Sequence, residues 1–167
     1  MVDRVQPNMV ADELVTLVEF LDFYRATLLL KVESLSDEQA RRCACPPSTL
    51  NLMGLVRHMA DVERGWFRRT FVGEDAPPIF YTAQNNDGDM QPTESDTLAT
   101  AVAALHAEIA VARTNTQGTS LDQQAVVERH GNAPTLRWIM VHMIEEYARH
   151  CGHADLLREA IDGVTGD

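Results

Sequence analysis

Three of the chain's six histidines and two carboxylates crowd the segment His142-Met-Ile-Glu-Glu-Tyr-Ala-Arg-His-Cys-Gly-His153. At about 100° per residue of α-helix, His142, Glu146, His150 and His153 fall within an arc of roughly 80°. Glu146 and His150 are four apart, so they project from neighbouring turns of one face. A helix offers two ligands to one metal ion in this way, and a facing helix can supply a third. The stretch Leu55-Val-Arg-His-Met-Ala-Asp-Val-Glu63 contains such a partner, His58. Two nitrogens and one carboxylate leave at least one position open on a divalent ion. Donors of this type suit Zn²⁺ first, with Ni²⁺, Fe²⁺ and Mn²⁺ as further candidates.

Each residue also has a plainer reading. His58 lies between Val56 and Met59, and a lone histidine on an apolar face is more often a hydrogen-bonded core residue. His150 resembles a helix C-terminal charge, except that the helical pattern continues through Ala154, Leu156 and Leu157. Glu146 is harder to dismiss. Met143 and Tyr147 beside it belong to the core stripe of Leu136, Ile139 and Met140, and a carboxylate facing a core is rare unless paired or bound to a cation. His142 is an alternative ligand, and one of His142 and His153 is expected to orient a ligand or line the pocket. Asp61 is either the orienting acid of the second helix or a solvated surface group. His106 and His130 are expected to be exposed, and Glu145 and Arg149 to form a solvated i,i+4 pair.

Four long helical patterns must position these groups. The first spans about Asp12 to Val32, with Leu14, Leu17, Val18, Leu21, Tyr24 and Leu28 on one stripe. Ser36-Asp-Glu-Gln39 reads as a capping box opening a short helical turn, which Pro46-Pro47 closes off. Ser48 or Thr49 then starts the second long helix, Leu50 to Phe71. Thr93-Glu-Ser-Asp96 caps a third, carried by Leu98, Val102, Leu105 and Ile109. The fourth runs from Leu136 to about Ile161 and ends at Gly163. Residues 73–92 form a polar connection without a period of its own, expected to border the mouth of the site or to serve as a mere connector. Residues 114–134 are irregular, with Ala125-Val-Val-Glu as a brief extended piece. The pattern gives an all-α, four-helix bundle over a single domain, 1–167, whose long crossover lets helices two and three run parallel.

Composition narrows the functional classes. A formal charge of −11 and a pI near 4.9 argue against nucleic acid or an acidic membrane as partner. No apolar run approaches the ~20 residues that cross a bilayer, and no secretory leader is visible. Cys43 and Cys45 are too close to pair comfortably and Cys151 is left over, which reads as reduced thiols in the cytoplasm. Cys43-Ala-Cys45 has no second pair that would complete a soft metal site.

The motifs Gly54-Leu-Val-Arg-His-Met-Ala-Asp-Val-Glu-Arg-Gly-Trp-Phe67 and Leu136-Arg-Trp-Ile-Met-Val-His-Met-Ile-Glu-Glu-Tyr-Ala-Arg-His-Cys-Gly-His153, with their continuation to Gly166, resemble the DinB-like superfamily. The likeness covers nearly the whole chain and is strongest to the mycothiol S-transferase branch. It implies an up-down-down-up four-helix bundle. It also implies a metal triad of one histidine on helix two and two residues four apart on the last helix. Carried onto this chain, the triad is His58, Glu146 and His150. Glutamate followed by histidine is the variant of the mycothiol-dependent maleylpyruvate isomerase, whose additional C-terminal domain this chain lacks, which weighs against isomerase activity itself.

The resemblance implies a metal-dependent transferase that joins mycothiol to a small electrophile. Coordination to Zn²⁺ deprotonates a thiol whose free pKa is near ~8.5, so none of Cys43, Cys45 and Cys151 need be the nucleophile. Two other classes use the same features: hydrolysis by a metal-bound water, and a non-catalytic helical module that dimerises. The expected partners are a low-molecular-weight thiol, a small electrophile and a second copy of the chain.

Overall fold

The computed structural model describes residues 3–166; Met1, Val2 and Asp167 of the expected 1–167 unit lie outside the described residues. Among the described residues the chain is all-helical, with isolated bridges in place of strands. Helix α1 spans Glu13–Leu30, and the Asp12 carboxylate accepts the Val15 N–H at its start. Helix α2, Asp37–Arg41, opens with the reciprocal Ser36–Gln39 capping box that the sequence predicts.

Helix α3 spans Leu52–Glu63 and passes directly into a π-helical segment, Arg64–Phe71. The cap is Asn51, whose side chain accepts the Gly54 N–H, rather than Ser48 or Thr49. Helix α4, Leu98–Thr116, starts at Thr97 and not within 93–96. Asp96 is occupied elsewhere, accepting from Thr93 and from the Arg57 guanidinium. Helix α5, Leu136–Asp162, runs from Thr135 to a left-handed Gly163, the geometry that glycine adopts most cheaply at a helix end. The extended piece expected at Ala125 is instead a tether. The Val126 and Val127 N–H groups donate to the carbonyls of Phe71 and Thr70, at the end of the π segment.

Helix α3 packs against α4 and α5, and α1 packs against α5. Leu21, Leu28, Leu52, Leu55, Met59, Leu105, Ile139 and Met143 fill the interior, with Phe67 and Tyr147 as its large rings. Among the buried charged side chains, one group crosses the core between three helices. Arg25 of α1 donates from Nε and Nη2 to the two oxygens of Glu63 at 2.7 and 2.8 Å, and the Tyr147 hydroxyl donates to Glu63 at 2.8 Å. Burial opposes the Arg25 charge, and Glu63 more than offsets it, so the guanidinium is held firmly protonated. Burial, reinforced by Glu63, likewise pushes the Tyr147 hydroxyl well above its ordinary pKa. The three residues tie α1, α3 and α5 together at the level of the site.

Candidate metal centre

Helices α3 and α5 bring His58, Glu146 and His150 together, with one ligand atom from each lying within 4.8 Å of the others. The His58 and His150 rings meet edge to face with centroids 4.9 Å apart, and His150 Nε2 lies 3.4 Å from Glu146 Oε2. His150 is buried, while His58 and Glu146 keep part of their surface open, so the cluster is reachable from one side. Burial, with His58 and His153 next to it, lowers the His150 pKa to about 4, so its imidazole is neutral and offers a lone pair.

The residue that orients His58 comes from the long connection. Asp89 Oδ2 sits 2.8 Å from His58 Nδ1, which sets the donor on that nitrogen and leaves Nε2 free. Two contacts fix this part of the loop on α3 and its cap, and a third orders it internally. Arg57 Nη2 donates to the Gly88 carbonyl, Asn51 Nδ2 donates to the Met90 carbonyl, and the Met90 N–H donates to Asp89 Oδ1. The Met90 carbonyl oxygen lies 2.8 Å from where a Cβ on Gly54 would stand, so only glycine admits the backbone this close.

Asp61 is neither the orienting acid nor a solvated one. It is buried, and its two oxygens accept the N–H groups of Ile79 and Phe80, fixing the first half of the loop. Burial raises its pKa against those two hydrogen bonds. Asp89 escaped sequence reasoning because it stands 31 residues from His58 in a loop with no period, and no spacing points to it.

The remaining histidines have separate places. His153 Nδ1 lies 3.4 Å from His150 Nδ1. His142 stacks on Trp138, with centroids 5.0 Å apart and planes 17° apart, and its Nε2 lies 3.7 Å from Glu146 Oε1. It therefore flanks the glutamate opposite His150, and with Glu145 and Glu146 it forms a second group whose ligand atoms lie close enough to hold a metal ion. His106 and His130 are exposed, and Glu145 pairs with Arg149 on the solvated side, as expected.

The donor set fits a divalent ion. Two imidazoles with free nitrogens and one carboxylate converge, and the acid that orients His58 is in place. The thiol of Cys151 is ill suited to chemistry. It is buried, donates to the Tyr24 carbonyl, and burial pushes its pKa up to about 12. A cleft of about 270 Å³ is lined by His58, Asp89, Trp66, Arg69, Tyr81 and Arg129. A second of about 620 Å³ shares Trp66 and Arg129 with it and adds Trp138 and His142.

Fold and site together define an all-helical protein with a cluster of two histidines and one carboxylate at the contact of two helices. The chain belongs to the Mycothiol-S-transferase family, of the DinB-like kind, whose model matches residues 16–163. It is similar in fold to a conserved protein from Enterococcus faecalis known from a crystal structure. The TM-score is 0.59 at 14% identity, over 93% of this chain and 100% of that one. No curated protein matches the chain. Among the described residues, no helix is long and apolar enough to cross a membrane.

Proposed function

We propose that His58, Glu146 and His150 hold one divalent metal ion, Zn²⁺ before Ni²⁺, Fe²⁺ or Mn²⁺, and that the protein transfers mycothiol to a small electrophile. The observation that carries this reading is the convergence of the three ligand atoms within 4.8 Å. When bound, such an ion acts as a Lewis acid that keeps a cosubstrate thiol deprotonated near neutral pH. The chain's own residues prepare the place. Asp89 fixes the His58 tautomer, and the burial of His150 keeps it neutral. The cleft at His58, with the larger one that shares Trp66 and Arg129 with it, offers room for two partners held side by side, an arrangement that lowers the entropic barrier of a bimolecular step.

This reading includes an up-down-down-up four-helix bundle with residues 72–97 as the crossover. It also includes a cytoplasmic homodimer, for which the exposed Leu14, Val15 and Val18 of α1 offer apolar surface.

Metal analysis joined to a thiol-conjugation assay tests the proposal. Wild type is expected to carry about one divalent ion per chain, and His58→Ala, Glu146→Ala and His150→Ala to lose it. Consumption of an electrophile such as 1-chloro-2,4-dinitrobenzene is expected only with added mycothiol. Full metal content in His58→Ala would refute the ligand set. Turnover of an ester or amide without thiol would favour hydrolysis by the same site.

A further inference from the structure

The π segment carries three arginines with different fates. Arg64 and Arg68 pair with Glu108, and Arg68 also with Glu74. Arg69 has no carboxylate partner among the described residues. Its Nη2 donates to the Tyr81 hydroxyl at 2.9 Å, and its Nε is buried with nothing bonded to it. Arg129 also lacks a carboxylate partner among the described residues. Its Nε donates to Thr70, and its guanidinium lies over the Trp66 ring at 5.0 Å.

In a chain with 25 acidic and 14 basic residues, two guanidiniums on one cleft form no ion pair with a carboxylate among the described residues, although Arg69 acts on Asp61 through space. Asp61 and Asp89 line the same cleft, but their oxygens are engaged by Ile79, Phe80, His58 and Met90. The two guanidiniums also address a common point. The Nη2 atoms of Arg69 and Arg129 come within 3.1 and 3.9 Å of the position a Cβ on Gly65 would occupy. Trp66 and Trp138, with ring centroids 5.4 Å apart, wall the adjoining space.

We propose that Arg69 and Arg129 form a carboxylate-binding subsite beside His58, and that the electrophile is a flat, conjugated or aromatic carboxylic acid whose plane lies against Trp66 and Trp138. Two planar cationic donors match the two oxygens of a carboxylate, and a neutral thiol sugar has no charge to pair with theirs. The subsite rests on the transferase reading only in calling the bound acid the electrophile.

The two tryptophans are the only ones in the chain, so their indole N–H signals in ¹H–¹⁵N spectra report on this cleft directly. The probes are cinnamate and cinnamamide, equal in shape and different in charge, titrated into metal-free and into Zn²⁺-loaded protein. Cinnamate is expected to shift the indole signals and to bind at least about tenfold tighter than the amide in both forms. Arg69→Gln and Arg129→Gln are each expected to weaken cinnamate about tenfold and to leave the amide within about twofold. Gly65→Ala, which places a methyl group between the two Nη2 atoms, is a second route to the same loss if a glutamine variant fails to fold.

Equal affinity for acid and amide, unmoved indole signals, or a preference that survives the substitutions would overturn the subsite. So would a preference that appears only with Zn²⁺, since the carboxylate would then be on the metal. Because the metal-free titration is independent of turnover, failure of the transferase reading leaves its outcome distinct.

Discussion

Asp89 Oδ2 lies 2.8 Å from His58 Nδ1, so an acid from the long connection sets the ring nitrogen that α3 presents to the site. Asp89→Asn removes the charge that holds this tautomer and is expected to weaken metal binding about 10–100-fold with the helices intact. Gly54→Ala should act in the same direction through the backbone, because its methyl group meets the Met90 carbonyl and pushes the Asp89 segment off α3. Competition against a chromogenic chelator measures both. Wild-type affinity in Asp89→Asn would separate the loop from the site.

The buried Arg25–Glu63–Tyr147 group is expected to govern stability, because it anchors α3 and α5, which carry the proposed ligands, to α1. Glu63→Ala leaves the buried Arg25 charge with only the partly exposed Asp22, 2.9 Å from Nη1, as partner and should cost toward the lower end of about 3–5 kcal/mol. Tyr147→Phe removes one donor from Glu63 and should cost about 1–3 kcal/mol. Replacing Arg25 and Glu63 together by Met and Leu should cost less than Glu63→Ala alone, since no charge is then stranded. Urea denaturation of the metal-free proteins checks the order.

The helices and the candidate ligand pair on α5 were legible in the sequence because both follow the 3.6-residue period. Glu146 and His150 share a face by spacing alone, and the Ser36–Gln39 box and Gly163 mark helix ends by local chemistry. What escaped is non-periodic and long-range. Asp89 reaches His58 only because residues 88–90 are clamped to Asn51, Gly54 and Arg57, and Asp61 is drawn inward by two backbone N–H groups of the same loop. The change to π-helix at Arg64 has no local sequence signal; the 3.6-residue period turns Trp66 inward, whereas the π segment buries Phe67 and Phe71 and leaves Trp66 only partly buried.

The cysteines should divide by accessibility. Cys43 is exposed, whereas Cys151 is buried and its thiol is held protonated to about pH 12. Ellman's reagent at pH 8 should modify Cys43 quickly in the native protein, and Cys151 only after unfolding. A variant with all three cysteines replaced by alanine or serine is expected to keep its metal and its thiol-dependent activity. Loss of turnover in Cys151→Ala with metal content intact would make Cys151 the nucleophile and remove the cosubstrate mechanism.

Acid should loosen the connection before it melts the core. The Thr93 N–H, the Thr93 hydroxyl and Arg57 all favour the Asp96 carboxylate over its acid form, and against partial burial they hold its pKa below the usual aspartate value. A depressed folded pKa means that the unfolded chain binds the proton more readily. This stabilisation is therefore complete above the unfolded value near ~3.9 and is lost as pH falls through the lower folded value. Asp96→Asn should cost on the order of 1 kcal/mol at pH 7, and its stability should approach that of wild type as pH falls below the unfolded value toward the lower folded one. Arg57 spans from Asp96 to the Gly88 carbonyl, next to Asp89. The same substitution should therefore weaken metal binding at pH 7, by less than Asp89→Asn does. Paired urea curves at pH 7 and pH 3, with chelator competition at pH 7, measure both effects. A stability gap that stays constant across that range would mean that the Asp96 charge does not hold the loop.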